Sequence, residues 1–169
     1  ESKKRGFPVL GIVNVVGSSI AREADSVLYT WAGPEIAVAT TKAYSTQLAA
    51  IYLIGILFGE VRECISREEA DHYIQELLKL PEKIQRILDE KERIQWLANK
   101  FSHTKDVFFI GRGLDYAISL EGSLKMKEIS YIHSEAYAAG ELKHGTISLL
   151  EDNTLVIGVL TQSDLYEKT

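Results

Sequence analysis

Apolar positions along this chain follow two rhythms. FPVLGIV at 7–13, SVLYT at 26–30, the start of DVFFIGRG at 106–113 and TLVIGVL at 154–160 are short apolar runs bounded by turn residues. Such runs read as buried strands of a parallel sheet. Between them the period lengthens to that of a helix. Ser18 or Ser19 is placed to cap a brief turn, and Thr40 or Thr41 to cap a helix reaching about Phe58 that is apolar on most faces and therefore central. Residues 66–101 are charged and amphipathic, with Ile74, Leu77, Leu78, Ile84, Ile87 and Leu88 at helical spacing. Ser66 and Glu69 form a capping-box pattern there, and Pro81 divides the run into at least two helices. A long helix follows from about Leu114 to Tyr131, with Ala117, Leu120, Leu124 and Tyr131 on one apolar face. TQSDLYEK at 161–168 starts another helix.

Strands alternating with helices predict an α/β fold in which helices flank parallel sheets. The change of character at each end of the charged run predicts three parts: 1–62, a helical connector at 63–101, and 102–169. A polar stub opens directly onto the first strand, and the sequence stops as the last helix begins, so both ends are expected to be cut from something longer.

Composition narrows the class. The 169 residues are 46% hydrophobic and 25% charged, and 19 basic against 24 acidic residues leave a net charge of −5. That is ordinary for a soluble globular protein, and without a basic stripe it argues against nucleic acid as a partner. The single cysteine, Cys64, has no internal partner and no zinc spacing around it, which fits a reducing, cytoplasmic setting. LAAIYLIGILFG at 48–59 falls short of the about 20 residues that span a membrane. No signal segment opens the chain, and no membrane partner is expected.

Candidate chemistry gathers in LKMKEISYIHSEAYAAGELKHG at 124–145. Glu121, Lys125 and Glu128 stand at i, i+4 and i+7, so they form one polar stripe with apolar residues on both flanks. The stripe reads equally as a solvated ion-pair ladder or as a general base in a crevice, held ionised by its lysine. His144 lies between Gly140 and Gly145, where the backbone can approach a ligand and an imidazole titrates near neutrality. His72 and His103 read as exposed, and His133 as packed or capping. IGRG at 110–113 has the place of a nucleotide-binding turn without its full glycine spacing, and equally reads as a close strand–helix packing point. Thr40, Thr41, Ser45 and Thr46 bring hydroxyls to a helix start, where they suit either plain capping or a polyol or phosphate.

NVVGSSIARE, AGPEIAVATTKAYSTQ, FFIGRG and KEISYIHSEAYAAGELKHG, taken in this order, closely resemble the sugar-isomerase part of the glutamine–fructose-6-phosphate aminotransferases (glucosamine-6-phosphate synthases). The resemblance covers essentially the whole chain. It implies a sugar-isomerase fold comprising parts of two similar lobes: the C-terminal half of the first over 1–62, and the N-terminal half of the second over 102–169. It also implies a role in making glucosamine 6-phosphate from fructose 6-phosphate and glutamine. By this resemblance Glu128 is the carboxylate that shuttles a proton between C1 and C2, and Lys125 supports it beside the sugar hydroxyls. His144 opens the sugar ring and reaches a neighbouring subunit's site, while Val38 and Thr40 contact the sugar. Where this chain has Thr40 the family commonly has serine, and the hydroxyl is kept.

No cofactor and no metal is expected. The family's phosphate loop would precede residue 1, its Schiff-base lysine would follow Thr169, and its glutaminase domain is absent, so the isolated chain is expected to be inactive. A homodimer is expected, because half-lobes leave sheet edges and helix faces open. Two other readings share the fold: a sugar-phosphate sensor, which has no use for Glu128, Lys125 and His144 together, and a fructosamine-phosphate deglycase.

Overall fold

The computed structural model describes residues 1–40 and 42–169, and it divides into two compact units, Glu1–Asp89 and Glu90–Thr169. In the first unit, strand β1 (Leu10–Val13) pairs in parallel with β2 (Ser26–Tyr29), from Leu10 opposite Ser26 to Val13 opposite Tyr29. The crossover between them is the short helix α1 (Ser19–Glu23), whose cap is Ser18, accepting from the Ala21 N–H at 3.3 Å. Gly11 lets this connection lie close to the strand, because a β-carbon there would stand 3.2 Å from that of Ala24.

Helix α2 (Lys42–Val61) follows; of the two residues expected to cap it, Thr41 lies outside the described residues. The helix runs three residues past the expected end and is 20 residues long with a mean hydropathy of 1.3, so by length and composition it meets the requirement for crossing a membrane. The apolar run at 48–59 is therefore part of a span-length helix rather than too short for one. Nor is it the buried central helix the sequence predicts: Ile51, Leu53, Leu57 and Phe58 are more than half exposed, and Ala50 is its one buried residue. Helix α3 (Arg67–Leu78) starts on the expected capping box, with the Glu69 N–H bonded to Ser66 Oγ at 3.1 Å and Ser66 N–H to the Glu69 carboxylate at 2.8 Å. Pro81 acts as anticipated: α3 ends before it, and α4 (Leu80–Asp89) carries it in the first turn, where the missing N–H costs nothing. Helices α2, α3 and α4 line an open apolar groove of about 600 Å³ that includes Ile51, Ile56, Tyr73 and Leu77.

The second unit begins with α5 (Lys91–Lys100) and is built on a parallel sheet of order β4-β3-β5. Its strands are β3 (Asp106–Gly111), β4 (His133–Ala138) and β5 (Leu155–Gly158). The sequence reading has no strand at 133–138; HSEAYA lacks the apolar run that marks the others, and it pairs residue for residue with β3 all the same. Val107, Phe108 and Phe109 of the central strand are the buried core, each at most 7% exposed. Helix α6 (Leu114–Ser130) joins β3 to β4.

The packing face of α6 differs from the expected one. Leu120, Leu124 and Tyr131 are exposed, whereas Asp115, Ser119 and Ser123 are buried. Ser123 and Ser134 exchange hydrogen bonds with each other's backbone carbonyls at 2.9 and 2.7 Å, and Ser119 Oγ donates to the Asp115 carbonyl at 2.8 Å. These small side chains satisfy their hydroxyls locally, so a polar face is buried without orphaned groups. The Thr161 hydroxyl and N–H both donate to the Asp115 carboxylate, the hydroxyl chiefly holding it below the ordinary carboxyl range. After β5 the chain closes in a 3-10 helix, Ser163–Lys168, rather than an α-helix.

The approach of α6 to β3 leaves no room at Gly111, where a β-carbon would stand 2.5 Å from the Asp115 carbonyl carbon. Replacing Gly111 with Ala is expected to destabilise the second unit by about 1–3 kcal/mol in urea denaturation. Gly55→Ala, where a β-carbon meets nothing within 4 Å, is the control, expected to be neutral or stabilising by about 0.5–1 kcal/mol as a helical Gly→Ala change.

Candidate functional site

The polar stripe on α6 is a direct consequence of that packing. Residues 121, 125 and 128 lie about half a turn round the helix from Asp115, Ser119 and Ser123, so pinning the serine face to the sheet turns the stripe away from it. Lys125 forms ion pairs with Glu128 and, at 3.5 Å, with Glu121. Glu121, Lys125 and Glu128 are half-buried, with side chains 22–29% exposed, whereas their apolar neighbours Leu120 and Leu124 are exposed. A polar stripe less exposed than its apolar flanks is unlike a solvated ladder. One cation between two carboxylates leaves the cluster net negative, with one carboxylate in excess of what the lysine can neutralise. The Glu128 carboxylate first, and Glu121 with it, raise the Lys125 ammonium above the ordinary lysine range against the opposing effect of burial. Lysine therefore stays charged throughout the range in which a carboxylate base works.

His144 is exposed at the end of a 3-10 turn, Leu142–His144, and its N–H donates to the Glu141 carbonyl at 3.0 Å. It stands on the same unit as Glu128 and Lys125. Val38 and Thr40 belong to the other unit. Val38 is 97% exposed, and Thr40 is half-buried beside the buried Ala39. Their segment follows a loop fastened by Asn14, whose amide donates to the Gly33 carbonyl at 2.6 Å while its oxygen accepts from the Ala32 N–H at 2.8 Å and the Thr30 hydroxyl at 3.2 Å. Sequence reasoning passed over Asn14; the one signal was a polar residue directly after an apolar strand.

Of the hydroxyls expected at the start of α2, Ser45 and Thr46 donate to the carbonyls of Lys42 and Ala43, and so serve the helix itself. The IGRG turn is a packing point. Gln162 fills the side of Gly113, its Oε1 3.3 Å from where a β-carbon would stand, and the amide donates to the Arg112 carbonyl at 2.7 Å. His133 bridges two strands through Asp106 at 2.8 Å and is exposed, not packed. Among the described residues no group of three or more His, Cys, Asp or Glu is arranged to hold a metal ion.

Parallel strands joined by crossover helices make each unit α/β in class, and the charged stripe lies on the crossover helix of the second. A model of the SIS domain family matches residues 1–57 and 100–168, and the chain belongs to that family. It is 61% identical over 168 residues to glutamine–fructose-6-phosphate aminotransferase (isomerizing) of Caldanaerobacter subterraneus subsp. tengcongensis, and 57% over 169 residues to the same enzyme of Clostridium tetani. These alignments cover 99% and 100% of this chain, which spans 28% of the length of each relative. Among solved structures, the C-terminal domain of glucosamine-fructose-6-phosphate aminotransferase from Francisella tularensis superposes with a TM-score of 0.95 at 38% identity. That match covers 99% of this chain and 47% of the other.

The ion pairs give a direct test. A raised lysine pKa adds stability that is fully present below the ordinary value of 10.5 and is lost as pH rises through the folded-state value. An NMR titration of the Lys125 side chain should therefore have its midpoint above 10.5, moving back toward it in Glu128→Gln. A midpoint at or below 10.5 in the unaltered chain would contradict the pairing.

Proposed function

We propose that this chain is part of the isomerase domain of an enzyme making glucosamine 6-phosphate from fructose 6-phosphate and glutamine, and that its own task is the ketose–aldose isomerisation of the bound sugar phosphate. The observation that carries the reading is the Glu121–Lys125–Glu128 cluster, partly withdrawn from solvent on a chain closely related to aminotransferases of that name. Glu128 is the proton shuttle. It takes the proton from C1, the C1–H electron pair becomes the C1–C2 double bond, and the electrons of the C2 double bond move onto its heteroatom. Return of the same proton to C2 takes up the C1–C2 double-bond pair, while the O1–H pair becomes the C1 carbonyl bond and the O1 proton is passed to the heteroatom on C2. Removal and return occur on one face of a planar intermediate, so one carboxylate suffices. Lys125 stabilises the charge that develops on the sugar oxygen. His144 opens the furanose ring as a general acid–base group, and Val38 and Thr40 hold the sugar from the first unit. A proton shuttle of this kind calls for no cofactor.

Residues 1–62 and 102–169 act in this reading as parts of two similar lobes, with 63–101 as the helical connector. The enzyme is cytoplasmic and its glutaminase domain lies elsewhere in the longer protein. It is a homodimer, and the exposed apolar residues of α2 and α6 are covered by the rest of the isomerase domain or by the partner. The exposed Ile51, Leu53 and Phe58 on α2 and Leu120 and Leu124 on α6 support that arrangement.

In the full-length enzyme, Glu128→Gln is expected to lower the isomerisation rate by about 10²–10⁴-fold while calorimetry finds sugar-phosphate binding nearly unchanged. Near-normal turnover by this variant would falsify the assignment. Sedimentation of the full-length enzyme should give the mass of a dimer, and a monomer at working concentration would remove the shared-site reading of His144.

A further inference from the structure

The IGRG turn, left without a ligand by the packing of Gln162, has a different use. Arg112 follows directly on β3, at the end of the sheet where the parallel strands deliver their loops. Its backbone carbonyl is held by the Asp115 N–H at 3.0 Å and by the Gln162 amide at 2.7 Å, and its Nε donates to the Lys168 carbonyl at 2.9 Å. The rest of the guanidinium is packed beside Gly140, in the turn that leaves β4. A β-carbon on Gly140 would stand 3.1 Å from Nη1, 3.4 Å from Nη2 and 3.5 Å from Cζ.

From Gly140 the path to His144 is short and carries backbone hydrogen bonds at Glu141 and His144. The Ala139 N–H donates to the Gly111 carbonyl at 2.9 Å, Glu141 N–H to the Ala138 carbonyl at 2.8 Å, and His144 N–H to the Glu141 carbonyl at 3.0 Å. The turn is thus tied to β3 at one end and carries the imidazole at the other, with Arg112 as the wall along its side. Gly140 has an ordinary backbone conformation, being absent from the glycines with positive φ. What the absent side chain provides there is space for the guanidinium.

We propose that Arg112 is a positioning residue for His144: its guanidinium, seated on Gly140, sets where the exposed imidazole stands. The proposal rests on the reading of His144 as the ring-opening group, since only then does its position affect one chemical step and not the next. An imidazole displaced by about 1 Å loses on the order of a hundredfold in the step it serves. Proton transfer at C1 and C2 belongs to Glu128 on the rigid helix α6, and is left alone.

The test compares fructose 6-phosphate with its 5-deoxy analogue in the full-length enzyme. Without the C5 hydroxyl, and with O6 esterified, the analogue cannot close a furanose ring, so it needs no ring opening. Arg112→Ala is expected to lose about 10- to 100-fold in kcat/KM on fructose 6-phosphate and less than about twofold on the analogue. Gly140→Ala, which crowds the guanidinium without straining the backbone, should move in the same direction with a smaller loss. Retained turnover of the analogue reports in each case that the protein is folded and Glu128 is in place. Equal losses on both substrates, or no loss on either, overturn the proposal. His144→Ala separates the two layers: if it discriminates between the substrates and Arg112→Ala does not, the positioning role alone falls. If His144→Ala treats both substrates alike, the ring-opening reading falls and takes the proposal with it.

Discussion

The second unit depends on how near α6 lies to β3. At Gly111 the helix backbone occupies the space of a β-carbon, and at Gly122 a β-carbon would stand 2.9 Å from the Phe109 ring. A helix can lie this close only if its inner face is made of small residues, and Ser119 and Ser123 meet that need. Their hydroxyls would be costly to bury alone, at about 1–3 kcal/mol each without a partner. The Ser123–Ser134 exchange removes that cost and at the same time locks the helix in rotation against β4. Once the rotation is fixed, so is the direction of every other residue on α6.

That rotation gives the charged stripe its setting. Exposed ion pairs contribute little, since water screens them and the side chains lose freedom in forming them. Here Lys125 sits between two carboxylates, each side chain less than a third exposed, so screening is reduced and the attraction keeps more of its strength. Burial opposes the lysine's charge, yet the carboxylates outweigh it and the net effect is upward. One lysine shared between two carboxylates leaves the cluster with an excess negative charge beside a partly apolar surface.

Strands β1, β2, β3 and β5 were legible in the sequence because each is an apolar run between turn residues, and the α/β class followed from their alternation with helices. Strand β4 was not legible. HSEAYA has weak strand character of its own and is a strand because its backbone completes the ladder beside β3. The stripe could be read from spacing alone, but the inner face of α6 could not. Hydrophobic periodicity selects Leu120 and Leu124 as the buried side, whereas close packing selects the serines, and the pattern of apolar residues carries no information about how near two backbones come. Helix α2 failed for the complementary reason: it is apolar enough to be a core helix, but the described chain covers little of it. The family and its candidate residues came from a resemblance carried by whole motifs, in which the glycines and small residues are quoted along with the charges.

The two units solve one problem in the same way. In a parallel sheet the loops that meet a ligand leave the C-terminal ends of the strands, and such loops need holding without losing their place at the surface. In the first unit the residue after β1 is Asn14, which uses both ends of its amide to fasten residues 30–33, the chain that leaves β2. In the second the residue after β3 is Arg112, whose guanidinium lies along the turn that leaves β4. Each side chain starts one residue past a strand held by parallel pairing and reaches sideways to the loop from the next strand. The anchoring falls mainly on the loop backbone, with Thr30 the one loop side chain that joins it in the first unit. In both units the segment that continues from the fastened loop carries candidate sugar contacts: Val38 and Thr40 in one, His144 in the other. A chain built this way can change its loop residues without disturbing its core, which lets a single fold host different sites.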